Sequence, residues 1–346
     1  MFTTKPSLSE YKLSFSKEAR RKDYNDYDIK EFLDYAEILY LKDLPIIYNI
    51  KHFSLLVGYK ETYLARAAET TFNFYRSFDI RKRNGKLRKI DEPLPSLKEI
   101  QTWILTNILY KLDCSKYSKA YKKKNSIKTN AKFHRDQDVV LSLDVKDYFG
   151  SIRVEDVEFF FADLGYEENL SGMLASLCCL NGSLPQGSPT SPYLSNLITI
   201  ELDNDLSELA KLYNVRYTRY ADDITFSGTF TVGVLINKAK EVATRYGFEI
   251  NDKKTRAMGK HEQQLVTGIV VNTKKLQVSR ERRKDLRQQL YYIQKFGLEN
   301  HLAKRNINKR NYLQHLLGLT NHILMVNPKD EEALRYKQVI FSYMND

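Results

Sequence analysis

Val215-Arg216-Tyr217-Thr218-Arg219-Tyr220-Ala221-Asp222-Asp223-Ile224-Thr225-Phe226-Ser227 carries the pattern from which the architecture follows. Two β-prone runs flank Tyr220-Ala221-Asp222-Asp223, so the segment reads as a hairpin with both acids in its turn. Adjacent like charges cost free energy unless a cation neutralises them. A divalent ion with oxygen ligands is the natural candidate. Adjacent aspartates are also common in solvated turns, so the pair alone does not decide.

A third carboxylate lies upstream. Val139-Val140-Leu141-Ser142-Leu143 is a short apolar run that delivers Asp144 at its end, followed by Val145-Lys146-Asp147-Tyr148-Phe149. A buried strand ending in an aspartate is a common way to present a metal ligand. Asp144, Asp222 and Asp223 together suit two Mg²⁺ ions about 3.5–4 Å apart, the spacing of two-metal nucleotidyl transfer. One ion activates an attacking hydroxyl and the other stabilises leaving pyrophosphate. Asp147 reads either as an aid to that site or as a cap for the helix that follows.

Between these pieces lies Leu184-Pro185-Gln186-Gly187-Ser188-Pro189-Thr190-Ser191-Pro192. With it, the chain resembles the reverse transcriptases, which carry Asp-x-x-x-x-aromatic, Leu-Pro-Gln-Gly-x-x-x-Ser-Pro and aromatic-x-Asp-Asp in this order. Arg81-Lys82-Arg83-Asn84-Gly85-Lys86-Leu87-Arg88-Lys89-Ile90 is similar to the family's fingers hairpin, and Gly247-Phe248-Glu249-Ile250-Asn251-Asp252-Lys253-Lys254-Thr255 to its lysine motif. Two further strings, Asn130-Ala131-Lys132-Phe133-His134 and Val266-Thr267-Gly268, are similar to signatures of bacterial retron reverse transcriptases.

The resemblance implies an α+β fold of right-hand polymerase architecture, with fingers, a palm built on antiparallel sheet and a helical thumb. The boundaries expected are an N-terminal arm or helix over 1–35, fingers with part of the palm over 36–138, palm over 139–273 and thumb over 274–346. It implies a metal-binding role for Asp144, Asp222 and Asp223. Phe149 would lie under the incoming sugar, where a 2′-OH would clash. Gln186 and Gly187 would face the nucleotide, glycine allowing close backbone approach. Lys82 and Arg88 would grip the triphosphate, with the register among Arg81, Lys82 and Arg83 open by one residue. Lys254 would donate a proton to pyrophosphate, with Lys253 beside it as the alternative. Asn130 and His134 are candidates for RNA contact, a structural histidine being an equal reading. Val266, Thr267 and Gly268, with Arg282, Arg283, Lys284 and Arg287, are the other RNA-binding candidates.

For a retron type, the implied partners are a cognate structured non-coding RNA, its branched single-stranded DNA product, deoxynucleoside triphosphates, an effector protein from the same operon and host RNase H, in a role of anti-phage defence. A group II intron-like enzyme, or a non-catalytic RNA-binding scaffold derived from a polymerase, are the alternatives. The roughly seventy residues after Lys275 suggest a thumb alone, without a maturation or RNase H domain.

Composition agrees with a polyanion partner. The 346 residues carry a net charge of +12. Residues 114–135 hold eight Lys or Arg and no acid, and residues 274–310 are net +9, so the rest of the chain is mildly acidic. Two dense basic blocks read as a nucleic-acid track. The 24 tyrosines offer faces for base stacking as well as core. Cys114, Cys178 and Cys179 have no zinc spacing, which suits a reducing cytoplasm. The polar N-terminus and the lack of long apolar runs predict neither a signal peptide nor a membrane span.

The remaining pattern predicts helices over 36–75, 97–112, 154–164, 191–212, 232–246 and from 277 onward. A hairpin is expected over 76–92, turning at Asn84-Gly85.

Overall fold

The computed structural model describes residues 6–81, 85–306 and 311–345. Helices and antiparallel sheets combine in an α+β polymerase fold. The chain forms two compact units, the described residues up to Ser115 with Asp147–Glu201, and Lys116–Lys146 with the chain from Leu202 onward.

The first unit opens with α1 (Leu8–Arg21) and α2 (Asp26–Leu41). Ser7 and Glu10 form a capping box at the start of α1, and Asn25 caps α2. The tyrosine-rich start of the chain is thus helical. Its aromatic rings pack, Phe15 and Phe32 each lying 5.4–5.6 Å from Tyr48. Next come α3 (Ile50–Val57), α4 (Glu61–Glu69) and an antiparallel ribbon of β1 (Tyr75–Arg81) and β2 (Leu87–Pro93). Gly85 in its turn has φ +80°, while Asn84 lies outside the described residues. Pro95 sits in the first turn of α5 (Pro95–Asn107), whose Leu97, Ile100 and Ile104 are buried.

The same unit takes in α7 (Val154–Asp163), α8 (Glu168–Cys178) and α9 (Ser191–Ile198). The single helix expected over 191–212 breaks at Thr199, whose Oγ1 donates to the Ser195 carbonyl at 2.5 Å. A hydroxyl that returns a bond to the preceding turn competes with the helical ladder.

In the second unit, α6 (Ile127–Phe133) is capped by Ser126. A four-stranded antiparallel sheet runs in the order β4 (Arg216–Tyr220), β5 (Asp223–Gly228), β3 (Val139–Asp144), β6 (Arg256–Gly259). The helices α10 (Ile200–Leu212), which belongs here from Leu202, and α11 (Val232–Arg245) complete this part. The outer edge of β4 is not bare. The Arg219 amide donates to the Tyr117 carbonyl and the Lys119 amide to the Arg219 carbonyl. Part of the first basic block thus closes a sheet edge.

A small sheet of β7 (Leu265–Val266), β8 (Ile269–Val270) and β9 (Gln277–Val278) leads into α12 (Arg280–Phe296), α13 (Leu298–Lys304), α14 (Tyr312–Val326) and α15 (Glu331–Asn345). Leu286, Leu290 and Ile293 of α12 share one core with Leu316 and Ile323 of α14 and with Val266, Ile269 and Val278. Among the described residues no helix is long and apolar enough to cross a membrane.

Candidate active site

The sheet register brings the acids together. β3 and β5 pair so that Asp144, the last residue of one, stands opposite Asp223, the first of the other. Tyr220 pairs with Asp223 across the tight connection Ala221-Asp222. Asp223 is therefore a strand residue, and of the two acids only Asp222 occupies the turn. Ala221 has φ +56° and Asp222 does not share that sign, the pattern of a hairpin turn that ordinarily takes glycine first. An L-residue in that region costs on the order of 1 kcal/mol. The turn is fastened to β3 by the Val145 amide, which donates to the Asp222 carbonyl at 2.9 Å.

Burial, followed by repulsion from Asp222 and Asp144, pushes the Asp223 carboxyl up to about 6, with Lys254 opposing. Lys254 Nζ lies 2.8 and 2.9 Å from the two Asp144 oxygens. Lys254, not Lys253, is thus the lysine that reaches the acids. Asn251 adds its amide to the Asp144 carbonyl at 2.7 Å and its Nδ2 to Oδ1 at 3.3 Å. Asn251 was missed in the sequence, where it is three residues before Lys254 and indistinguishable from a turn residue.

The donor set suits a hard divalent cation in kind, being all carboxylate oxygen with a repulsion that a cation relieves. Its geometry is not that of a closed site. Among the described residues no three His, Cys, Asp or Glu side chains converge closely enough to hold one ion. The Asp144 carboxylate is turned onto the Lys254 ammonium, which supplies the positive charge beside it.

Beneath the hairpin, β4 is gripped on both faces, as its period of two allows. On one face Tyr217 and Arg219 both bond Asp203 of α10. On the other, Thr218 Oγ1 lies 2.7 Å from His134 Nε2 and donates to Asn130 Oδ1 at 2.6 Å. His134 Nδ1 lies 2.7 Å from Ser227 Oγ. Since Thr218 spends its proton on Asn130, His134 Nε2 donates to Thr218 and Nδ1 accepts from Ser227. Burial, then the charges of Arg216 and Lys119, push His134 down to about 3, so it is neutral. Asn130 and His134 are fully buried. In this structure they tie α6 to β4 and β5, the arrangement of a structural histidine.

Val266 is likewise core. Thr267 (φ +47°) and Gly268 (φ +78°) form the two-residue turn between β7 and β8. That leaves a β-branched residue in a left-handed conformation, with Oγ1 donating to the Ile127 carbonyl at 3.2 Å. A Cβ on Gly268 would meet Arg282 Nη2 at 4.0 Å, so the turn and Arg282 are neighbours. Arg283 bonds Asp330 at 2.6 Å and Glu332 at 2.8 Å, and Arg287 bonds Glu332 at 2.6 Å. These two RNA-binding candidates brace α12 to the start of α15. Among the described residues Arg282 and Lys284 form no ion pair.

The other candidates lie in the first unit. Phe149 and Gln186 are half-buried and Arg88 is exposed, while Lys82 lies outside the described residues. Gly187 has φ +142°, and a Cβ there would come within 2.4 Å of the Asp91 carbonyl oxygen. The Asp91 amide donates to the Gln186 carbonyl at 3.0 Å. Glycine at 187 is thus required by the approach of β2.

Comparison with known proteins agrees with this geometry. Residues 80–283 match the family described as reverse transcriptase (RNA-dependent DNA polymerase). The chain belongs to that family and is an RNA-directed DNA polymerase, a class that generally uses divalent metal ions. Within it the chain is of the bacterial retron type. It is 32% identical to the retron Ec86 reverse transcriptase of Escherichia coli over 297 residues, covering 84% of this chain and 88% of that one. It is 34% identical to the retron Mx65 reverse transcriptase of Myxococcus xanthus over 300 residues, covering 80% of this chain and 67% of that one.

Proposed function

We propose that this enzyme binds a structured non-coding RNA encoded beside it and copies part of that RNA into single-stranded DNA. The DNA is branched from the RNA because synthesis starts at the 2′-OH of a guanosine. The observation that carries the catalytic part is the register that sets Asp144 opposite Asp223, next to Asp222, in a chain with retron strings. In this reading Asp144, Asp222 and Asp223 hold Mg²⁺, which when bound polarises the attacking hydroxyl and neutralises departing pyrophosphate. Lys254, which reaches the Asp144 carboxylate, would protonate pyrophosphate, a contribution typically worth about 10²–10⁴ in rate. Phe149 excludes the 2′-OH, Gln186 and Gly187 shape the nucleotide's surroundings, and Arg88 with Lys82 binds phosphate. Arginine suits that task because its planar fork gives two parallel charge-assisted bonds.

The C-terminal helices would be the thumb that holds RNA duplex by shape and phosphate. Magnesium dependence, host RNase H for removal of copied RNA, an effector from the same operon, anti-phage defence and a cytoplasmic setting complete the proposal. The test is purification with the native RNA, then sequencing of attached DNA before and after debranching. DNA joined to one internal guanosine is expected, and DNA with a free 5′ end overturns the branched-product reading. For Phe149, Phe149→Val should raise ribonucleotide over deoxynucleotide incorporation by roughly tenfold or more. An unchanged ratio removes the steric role.

A further inference from the structure

The Arg219–Asp203 pair lies directly under the turn that carries Asp222, and both side chains are fully buried. Nε and Nη2 of Arg219 donate to the two Asp203 oxygens at 2.7 and 2.8 Å. Nη1 donates to the Ala221 carbonyl at 3.1 Å. Tyr217 adds its hydroxyl to Asp203 Oδ1 at 2.6 Å. A buried ion pair is weak ground for stability, because apolar groups of similar volume often do as well. What such groups cannot supply is a donor aimed at one carbonyl. That carbonyl belongs to Ala221, whose positive φ persists only where its surroundings over-determine it. The next carbonyl, of Asp222, is held by the Val145 amide. The turn is thus fixed at two successive carbonyls, once from β3 and once by the Arg219 fork braced on α10.

We propose that Arg219 is a positioning residue for DNA synthesis: braced by Asp203, it holds the Ala221 carbonyl and so sets where Asp222 and Asp223 present their carboxylates. The inference rests on the reading of Asp222 and Asp223 as catalytic. It uses a property that the guanidinium has and an ammonium lacks, the reach to two acceptors in fixed directions.

The test compares the parent with Arg219→Lys, with the triple variant Arg219→Met/Asp203→Leu/Tyr217→Phe, and with Asp222→Asn/Asp223→Asn as control. Melting temperature, affinity for template–primer, and kcat and KM for a deoxynucleotide are measured for each, with hydrogen exchange of the 219–223 peptide. The triple variant removes the buried charges together, so its melting temperature should stay near the parent's. Its kcat should fall about tenfold or more, as for a small misplacement of catalytic groups. KM and template affinity should hold within about twofold, and the peptide should exchange faster. If the triple variant does not fold, Arg219→Lys decides, with the same kcat loss expected at a retained melting temperature. A kcat within twofold of the parent in a folded variant overturns the proposal. So does a loss that only tracks melting temperature and recovers on cooling. Synthesis retained by the control would instead sink the catalytic reading of the two acids, so the two failures are distinguishable.

Discussion

The acid-bearing hairpin and helix α12 both hold arginines against carboxylates, to different ends. Under the hairpin, Arg219 and Asp203 are fully buried, and the third bond of the fork goes to a turn carbonyl. On α12, Arg283 is partly exposed and Arg287 more so, and their partners Asp330 and Glu332 come from the far side of a helix and a loop. The first arrangement fixes a geometry. The second neutralises charge that would otherwise face solvent. The net +9 of residues 274–310 therefore overstates the field that α12 offers to RNA, because Asp330 and Glu332 lie outside that window.

The sharpest way to break this contrast is at the hairpin. Asp222→Asn with Asp223→Asn should reduce primer extension to background while RNA affinity in a filter-binding titration stays near the parent's, since affinity comes mainly from phosphate contacts. Substantial extension by the double variant would remove the metal-ligand role. On α12 the expected effects are smaller and split by pair. Arg282→Ala with Lys284→Ala should lower the salt slope of RNA binding by about 1.4–1.8, at roughly 0.7–0.9 per lost phosphate contact. Arg283→Ala with Arg287→Ala should leave the slope unchanged and lower stability by roughly 1–3 kcal/mol, because Asp330 is left buried without its partner. Equal slopes for the two double variants would mean that the ion pairs open when RNA binds.

The smallest effect is a pH dependence beside the hairpin. The folded His134 binds a proton only near pH 3, whereas the unfolded chain takes one up near 6.5. Its contribution is present above pH 6.5 and is lost as pH falls below that value. His134→Gln should flatten the stability profile by about 1 kcal/mol between pH 7 and pH 5.5. Chemical denaturation at the two pH values measures it, and an unaltered slope would mean that His134 is charged in the folded protein.

Much of the hairpin was legible because its signals are contiguous. Asp144 at the end of an apolar run and Asp222-Asp223 between β-prone runs need only the period of a strand to place them. The strings Asn130…His134 and Val266-Thr267-Gly268 were legible as strings but not as roles. Burial decided that His134 bonds Thr218 and Ser227, and that Val266 is core. The close approach at Gly187 was legible as a glycine, but not that β2 makes it, because β2 lies about a hundred residues upstream.

The order of the chemical groups, the strand and helix periods and the family can be read along the chain, since these depend on near neighbours. Which charges are already answered depends on the folded chain. A charge is neutralised by whatever lies within a few ångströms, and for Arg219, Arg283 and Asp144 those groups are 16, 47 and 110 residues away.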